Sequence, residues 1–211
     1  MCAKRYASPE SASNGLLFAS SMRLTIAVVF LAAAATLHAG SRTYTIAKGG
    51  SNVAEFHAED TYDSFEGKTS DVTGSIAADP ANPATSTVQI VININSLDTG
   101  NGLRNKEMRE RYLETNKFGT AIFKSVSVTG PASIAPNQPT DISVTGDMTL
   151  HGVTKRMTIP VRVVLIPDGR IHATSSFKIH MPDFGISVPH NILVTVNDDV
   201  PVRLDVWATG K

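Results

Sequence analysis

The sequence predicts an all-β domain, and three observations carry the prediction. Residues 144–163 read as two strands around a tight turn. Val144, Met148 and Leu150, with Gly146 in register, point one way, while Thr145, Asp147, Thr149 and His151 point the other. After His151-Gly152 the alternation resumes with Met157, Ile159, Val161, Val163 and Leu165 on one face. That is the period of two which a half-buried antiparallel sheet requires. Segments of the same kind recur along the chain, separated by Gly, Pro, Asn and Asp clusters. Only one stretch has helical character, and no second, apolar helix is available to cover a flat sheet. A sheet with one apolar face must pair with another sheet or close on itself. The pattern alone therefore leaves a sandwich and an up-and-down barrel level.

The chain has 211 residues, and the first 39 read as an upstream extension and a secretory signal peptide. Met22-Arg23 is followed by an uncharged, mostly apolar run of 14 residues (24–37) and then Leu37-His38-Ala39, which predicts cleavage after Ala39. The run is short against the roughly 20 residues that span a bilayer. Residues 1–21 carry no pattern, so Met22 reads as the true start. Residues 40–211 make one domain. The leader holds three of the 19 basic and one of the 19 acidic residues, which leaves the remainder with a net charge of −2. Such a balance offers no basic face to a nucleic acid. The one cysteine, Cys2, lies upstream of the apolar run, so neither a disulfide nor a lipidated cysteine after the signal is expected. The expected location is periplasmic or secreted, with no stable membrane insertion once the signal is removed.

Within the domain, residues 42–46 and 53–58 are expected strands, with Lys48-Gly49-Gly50-Ser51-Asn52 as turn chemistry between them. Residues 65–77 form a long polar strand in which Gly67 and Gly74 mark bulges or sharp coiling. After the loop at residues 79–83, residues 87–95 put Ile90, Ile92 and Ile94 on one face. The period then changes. Residues 103–114 are charge-rich and free of Gly and Pro, Asp98 or Thr99 is a candidate cap, and Glu107 and Arg111 form an i,i+4 pair. A short helix over a sheet or opening is expected. Strands resume at residues 121–129, with Ile122, Val126 and Val128 opposing Phe123, Ser125 and Ser127. A proline-rich loop (131–139) precedes the hairpin. Pro167-Asp168-Gly169-Arg170 is a second tight turn, and residues 171–179 alternate with Ile171, Ala173, Phe177 and Ile179 on one side. Residues 181–186 break the pattern. Residues 191–196 and 200–207 complete the chain as two strands or one bent strand, with Asn197-Asp198-Asp199 as the candidate turn.

Chemical motifs are sparse. The histidines downstream of the leader (His57, His151, His172, His180 and His190) show no metal-ligand spacing. His172 and His180 are roughly 27 Å apart at strand rise. His151 is expected to fix the hairpin turn by hydrogen bonding. No Gly-x-Ser-x-Gly elbow occurs, Gly67-Lys68-Thr69 lacks the earlier glycine of a phosphate loop, and Asp147, Asp183, Asp198 and Asp199 sit near turns, where Asp is favoured for backbone reasons. The reading is therefore not an enzyme, with no metal and no cofactor.

The order of several short motifs is more specific. Leu97-Asp98-Thr99-Gly100-Asn101, Arg104, Met108-Arg109, Leu113 and Phe123-Lys124-Ser125 precede the Thr145-Gly146-Asp147…Leu150-His151-Gly152-Val153-Thr154-Lys155 hairpin and Asp183-Phe184-Gly185-Ile186. In this order they resemble the YceI-like polyisoprenoid-binding family, over about residues 43–208. The chain departs from the family's pattern at Asn105-Lys106-Glu107, where an Asp-x-His often follows the Arg, at Phe118-Gly119 in place of Tyr-Pro, and at residues 156–160. The resemblance implies a lipocalin-like, extended antiparallel eight-stranded β-barrel with the short helix near its mouth. It also implies a noncovalently bound isoprenoid lipid in an apolar tunnel: a polyprenol, polyprenyl phosphate or prenylated quinone-like chain, held for transport, storage or sequestration. The expected ligand contacts are Phe56, Phe65, Ile90, Ile92, Ile94, Met108, Phe123, Met148 and Phe177, with Arg104 and Arg109 placed for a polar headgroup. Burial of hydrocarbon, about 0.8 kcal/mol per methylene, would supply the binding. A homodimer is left open. The alternatives are an enzyme acting on a lipid or quinone and a ligand-free interaction module with a filled core.

Overall fold

A computed structural model describes residues 40–190 and 195–210. The expected signal and its cleavage point, and most of the strand expected at residues 191–196, lie outside the described residues. Ten strands are present: β1 (Arg42–Ile46), β2 (Val53–Glu59), β3 (Ser64–Thr69), β4 (Val72–Ala78), β5 (Thr87–Asn93), β6 (Thr120–Thr129), β7 (Thr140–Leu150), β8 (Val153–Leu165), β9 (Arg170–His180) and β10 (Asp199–Gly210). All their pairings are antiparallel.

The strands close into an eight-stranded barrel, which resolves the alternative that the pattern left open. The sheet order is β1-β4-β5-β6-β7-β8-β9-β10-β2-β3, and β1 also pairs with β10 through Tyr44–Gly210 and Thr45–Thr209. β10 thus shares one edge between β1 and β2. β1 and β2 act as one bent strand, and β3 and β4, interrupted only at Ser70-Asp71, act as its antiparallel partner. The buried Asn52 splints the first bend. Its amide nitrogen donates to the Ala47 carbonyl (2.6 Å) and its side-chain oxygen accepts the Trp207 N–H (2.8 Å). Asp71 holds the second bend, receiving Lys48 Nζ at 2.6 Å and Asn93 Nδ2 at 2.8 Å. A closed ring removes sheet edges and leaves an interior wide enough for side chains or one small ligand.

The β7–β8 hairpin follows its alternation throughout, with Val144, Met148 and Ile159 buried inward. Its turn places His151 at φ 51° and Gly152 at φ 76°, the pair of left-handed residues that a two-residue hairpin turn needs. Two expectations change in detail. On β6 the register shifts between Ser125 and Ser127, so Phe123 and Val128 both point inward while Val126, the extra residue, is 57% exposed. A bulge inverts every face assignment beyond it, and residue identities do not announce it. The expected helix at residues 103–114 is a six-residue α-helix, α1 (Gly102–Glu107), followed by a π-turn at Met108–Tyr112. Its cap is Asn101, whose side chain accepts the N–H groups of Leu103 and Arg104, rather than Asp98 or Thr99. Those two are engaged by Asn105 instead, through bonds of 2.7 and 2.8 Å.

Buried side chains fall into two clusters. One, containing Tyr44, Ile46, Val72, Ile76, Val163, Ile171 and Val206, gathers at the end of the barrel that carries both chain ends of the sheet. The other, with Phe123, Val144, Met148, Ile159, Ile179, Phe184 and Ile186, lies behind the hairpin. Space remains between the walls, a little of it beside the first cluster and more beneath the helical segment.

Candidate lipid-binding lumen

The lumen has two parts. An outer chamber of about 490 Å³ opens beneath α1 and the π-turn, and an inner chamber of about 120 Å³ lies deeper. Both are lined by Ile92, Ala121, Met148, Phe177 and Val202, which form the waist between them. Side chains therefore do not occupy the whole of the barrel interior.

The outer chamber is built from strand residues whose inward direction follows from the pleat. Ala54, Phe56 and Ala58 of β2 face Phe65 of β3, and the rings of Phe56 and Phe65 meet edge-on at 6.2 Å. Ile92 and Ile94 come from β5 and the turn after it, Met148 and Leu150 from β7, Phe177 and Ile179 from β9, and Val200 and Val202 from β10. The roof comes from Arg104, Glu107 and Met108, then Arg111, Tyr112 and Leu113 in succession. A π-turn is wider than an α-turn, and such turns recur at functional sites because they re-aim side chains.

The expected contacts divide between the chambers. Phe56, Phe65, Ile94, Arg104 and Met108 line the outer one, Ile90 and Phe123 the inner one, and Ile92, Met148 and Phe177 both. Arg109 lines neither. Its guanidinium turns back to donate to the Leu97 carbonyl at 2.6 Å, and its Nε is buried without a partner. The π-turn, invisible to an i,i+4 count, rotates it away from the lumen. Arg104 does reach the mouth, held by Thr99 Oγ1 (3.0 Å), the Thr99 carbonyl (2.9 Å) and the Phe65 ring beneath it (4.1 Å). Sequence reasoning passed over Val200 and Val202, whose alternation in β10 signals them. It also passed over Met181 and Ile186, which lie in an irregular segment and carry no such signal.

The rim is fixed by polar contacts. His151 reaches from the hairpin turn to the Phe184 carbonyl (Nδ1, 3.2 Å), has Glu114 Oε2 3.2 Å from Nε2, and packs edge-on against Phe118. Its expected role in fixing the turn thus extends to joining three segments. The side chain of Asn105 and the Gly100 N–H hold the Asp98 carboxyl below the usual range. Lys117, and secondarily His151, lower that of Glu114, and the N–H groups of Tyr62 and Asp63 lower that of Asp60. Hydrogen bonds to the charged form account for each shift. These are structural anions, already bonded, and unsuited to donating protons near neutral pH. Outside the lumen, His180, Asp198 and Asp199 bring ligand-type atoms within 4.8 Å of one another, but His180 and Asp199 already pair at 3.0 Å on the surface. What the lumen offers is burial of an apolar chain.

Comparison with known proteins agrees with this geometry. A family model described as "YceI-like domain" matches residues 44–208. A UPF0312 protein of Enterobacter sp. (strain 638) is 34% identical over 132 residues, covering 60% of this chain and 65% of the relative. Protein YceI of Escherichia coli is 33% identical over 131 residues, covering 59% and 65%. The aligned part of the chain thus spans about 65% of the length of these relatives. Among solved structures, Burkholderia cenocepacia BcnA superposes with a TM-score of 0.62 at 22% identity, covering 74% of this chain and 96% of that one. A polyisoprenoid binding domain from Saccharophagus degradans gives 0.61 at 17% identity, covering 81% and 99%. At these identities the two structures speak to the fold. Among the described residues no helix is long and apolar enough to cross a membrane.

Proposed function

The chain belongs to the YceI-like domain family, and on that premise we propose that it is an exported carrier which holds one long isoprenoid lipid in the barrel. The observation that carries the reading is the lumen itself: about 490 Å³, walled by apolar side chains from seven of the eight barrel strands and roofed at one end by a segment with charged groups. A prenyl tail is hydrocarbon, so shape and dryness suffice to bind it. Arg104 at the mouth is the side chain suited to a polar or phosphate head, and Phe56, Phe65, Met108, Met148 and Phe177 are suited to the first isoprene units. The solved polyisoprenoid binding domain of like fold supports this ligand class. The leader-like residues 22–39 support a periplasmic location.

The test is native mass spectrometry of the protein purified from the periplasm of its host, with mass analysis of the organic extract. A stoichiometric prenyl-type adduct is expected. A clean apo mass that stays unchanged after incubation with prenols and prenylated quinones would overturn the reading.

A further inference from the structure

Two aromatic rings in this lumen lie where they do because a residue of the neighbouring strand has no side chain. Phe56 pairs directly with Gly67 across β2 and β3, and its ring occupies the space a Gly67 Cβ would need. Phe123 pairs with Met148, and its ring lies over Gly146, one inward position along β7. A Cβ there would stand 2.5 Å from Phe123 Cζ and 2.8 Å from Cε2, closer than atoms of that kind approach. Each ring is therefore laid along the wall, not across the bore. The two rings control different spaces: Phe56 lines only the outer chamber and Phe123 only the inner one.

The inner chamber is the smaller of the two, and none of its lining comes from the roof. Its floor comes from the two proline-rich loops at residues 79–86 and 131–139, tied together by the Ile134 N–H on the Pro80 carbonyl (2.9 Å), with Asn137 N–H on the Leu165 carbonyl (2.8 Å). The buried hydroxyl in its wall, Ser175, donates to the Pro160 carbonyl at 2.6 Å. A dry chamber of this size suits hydrocarbon. Apolar cavities of about 150 Å³ take up benzene, so about 120 Å³ corresponds to roughly one five-carbon isoprene unit.

We propose that Phe123 and Gly146 form the chain-length ruler of the lumen: the ring, laid into the glycine's space, keeps open an inner chamber that receives the terminal isoprene unit of the ligand and ends there. The inference rests on the lipid-carrier reading and adds the residues that decide how long a chain is held. Affinity rises with chain length until the end of the chain enters the inner chamber, then stops rising. A methyl group at position 146 pushes the Phe123 ring into the bore, so the rise ends one isoprene unit earlier. A smaller side chain at position 123 moves that limit outward.

The experiment measures affinity across two ladders, prenols from geraniol through farnesol and geranylgeraniol to solanesol, and linear alcohols of increasing length. The proteins are the wild type, Gly146→Ala, Phe123→Leu, the double variant, and Ala173→Leu. Ala173 lines the inner chamber alone, so its variant plugs that chamber without touching β7. It is needed because a Gly146 Cβ would also stand 2.5 Å from the Lys124 carbonyl, and Gly146→Ala can fail to fold for that reason. Both Gly146→Ala and Ala173→Leu are expected to lose about tenfold or more in affinity for the chains at and beyond the limit, with the shortest chains held as by the wild type. The double variant is expected to return toward the wild-type limit. An unchanged limit in the folded Gly146→Ala and Ala173→Leu proteins overturns the ruler. Binding of linear alcohols but no prenol overturns the isoprenoid reading and leaves the ruler to be judged on the linear ladder. Binding of neither ladder overturns both.

Discussion

The β7–β8 hairpin and the roof segment at residues 97–119 touch at His151, yet they are held by different physics. The hairpin is a periodic object. Eleven cross-strand pairs repeat one rule, and its inward side chains join a continuous buried cluster. The roof is a sum of single contacts: Asn101 caps α1, Asn105 bonds to Asp98 and Thr99, Arg104 bonds to Thr99, and Arg109 bonds to Leu97. Most of its side chains are half-buried or exposed. A periodic element is redundant in its polar contacts and sensitive in its packing, and a roof of single contacts is the reverse. That difference is consistent with the proposed carrier reading, which requires a wall that keeps its shape.

The largest break in this comparison is expected in the wall. Ile159 is buried in the cluster behind the hairpin. Ile159→Ala removes three carbons from a packed site and is expected to lower unfolding free energy by roughly 2–5 kcal/mol, measured by denaturant melts. The loss should fall toward the lower bound if the neighbouring lumen lets the wall relax. A change below about 0.5 kcal/mol would mean that the barrel wall is not the packed element described here.

The same contrast explains what could be read from the sequence. The hairpin was legible to the residue, because an inward Val144, Met148 or Ile159 and an outward Thr145, Asp147 or Thr149 obey one period. Closure was not legible from pattern alone, because β10 shares an edge between β1 and β2 and no residue type encodes that division. The β6 bulge escaped for a similar reason. Val126 has the character of a core residue and lands outside only because the register slips beside it. In the lumen, the strand residues could be listed by face, whereas Arg109 could not be placed. Its direction depends on a π-turn that costs one extra residue and leaves no compositional mark. Gly67 and Gly146 were visible as glycines in strands, but their role depends on which ring lies opposite them.

A smaller effect is expected from the roof, and it sharpens the contrast. Asn101→Ala removes the side chain that accepts two N–H groups at the start of α1. Loss of such a cap costs about 1 kcal/mol. Because few packed side chains depend on α1, the expected result is faster amide exchange at residues 102–112 with a nearly unchanged melting temperature. A drop in melting temperature as large as that of Ile159→Ala would show that roof and wall unfold as one unit, and the distinction between them would fall.

The smallest effect concerns the outer face of the hairpin and is set by pH. Asp147 and Arg156 stand directly opposite each other and bond in a fork, at 2.6 and 3.1 Å, and Asp141 and Arg162 do the same at 2.8 and 3.0 Å. In each pair the guanidinium holds the carboxyl below its ordinary value. A carboxyl depressed in the folded state stabilises the fold in full above its unfolded value of about 3.9, and that stabilisation is lost as pH falls through the lower, folded value. The rim carboxyls Asp60, Asp98 and Glu114 are depressed as well, so the whole protein is expected to lose stability in the same direction. Asp147→Asn separates the terms. Its melting temperature is expected to be slightly lower than the wild type at neutral pH and to converge on it as pH falls below about 4. The pair is exposed and screened, so the difference should also shrink in high salt. A gap that widens in acid would reverse the assigned direction of the shift. A gap as large as that of Ile159→Ala would mean that the hairpin, like the roof, depends on its individual polar contacts.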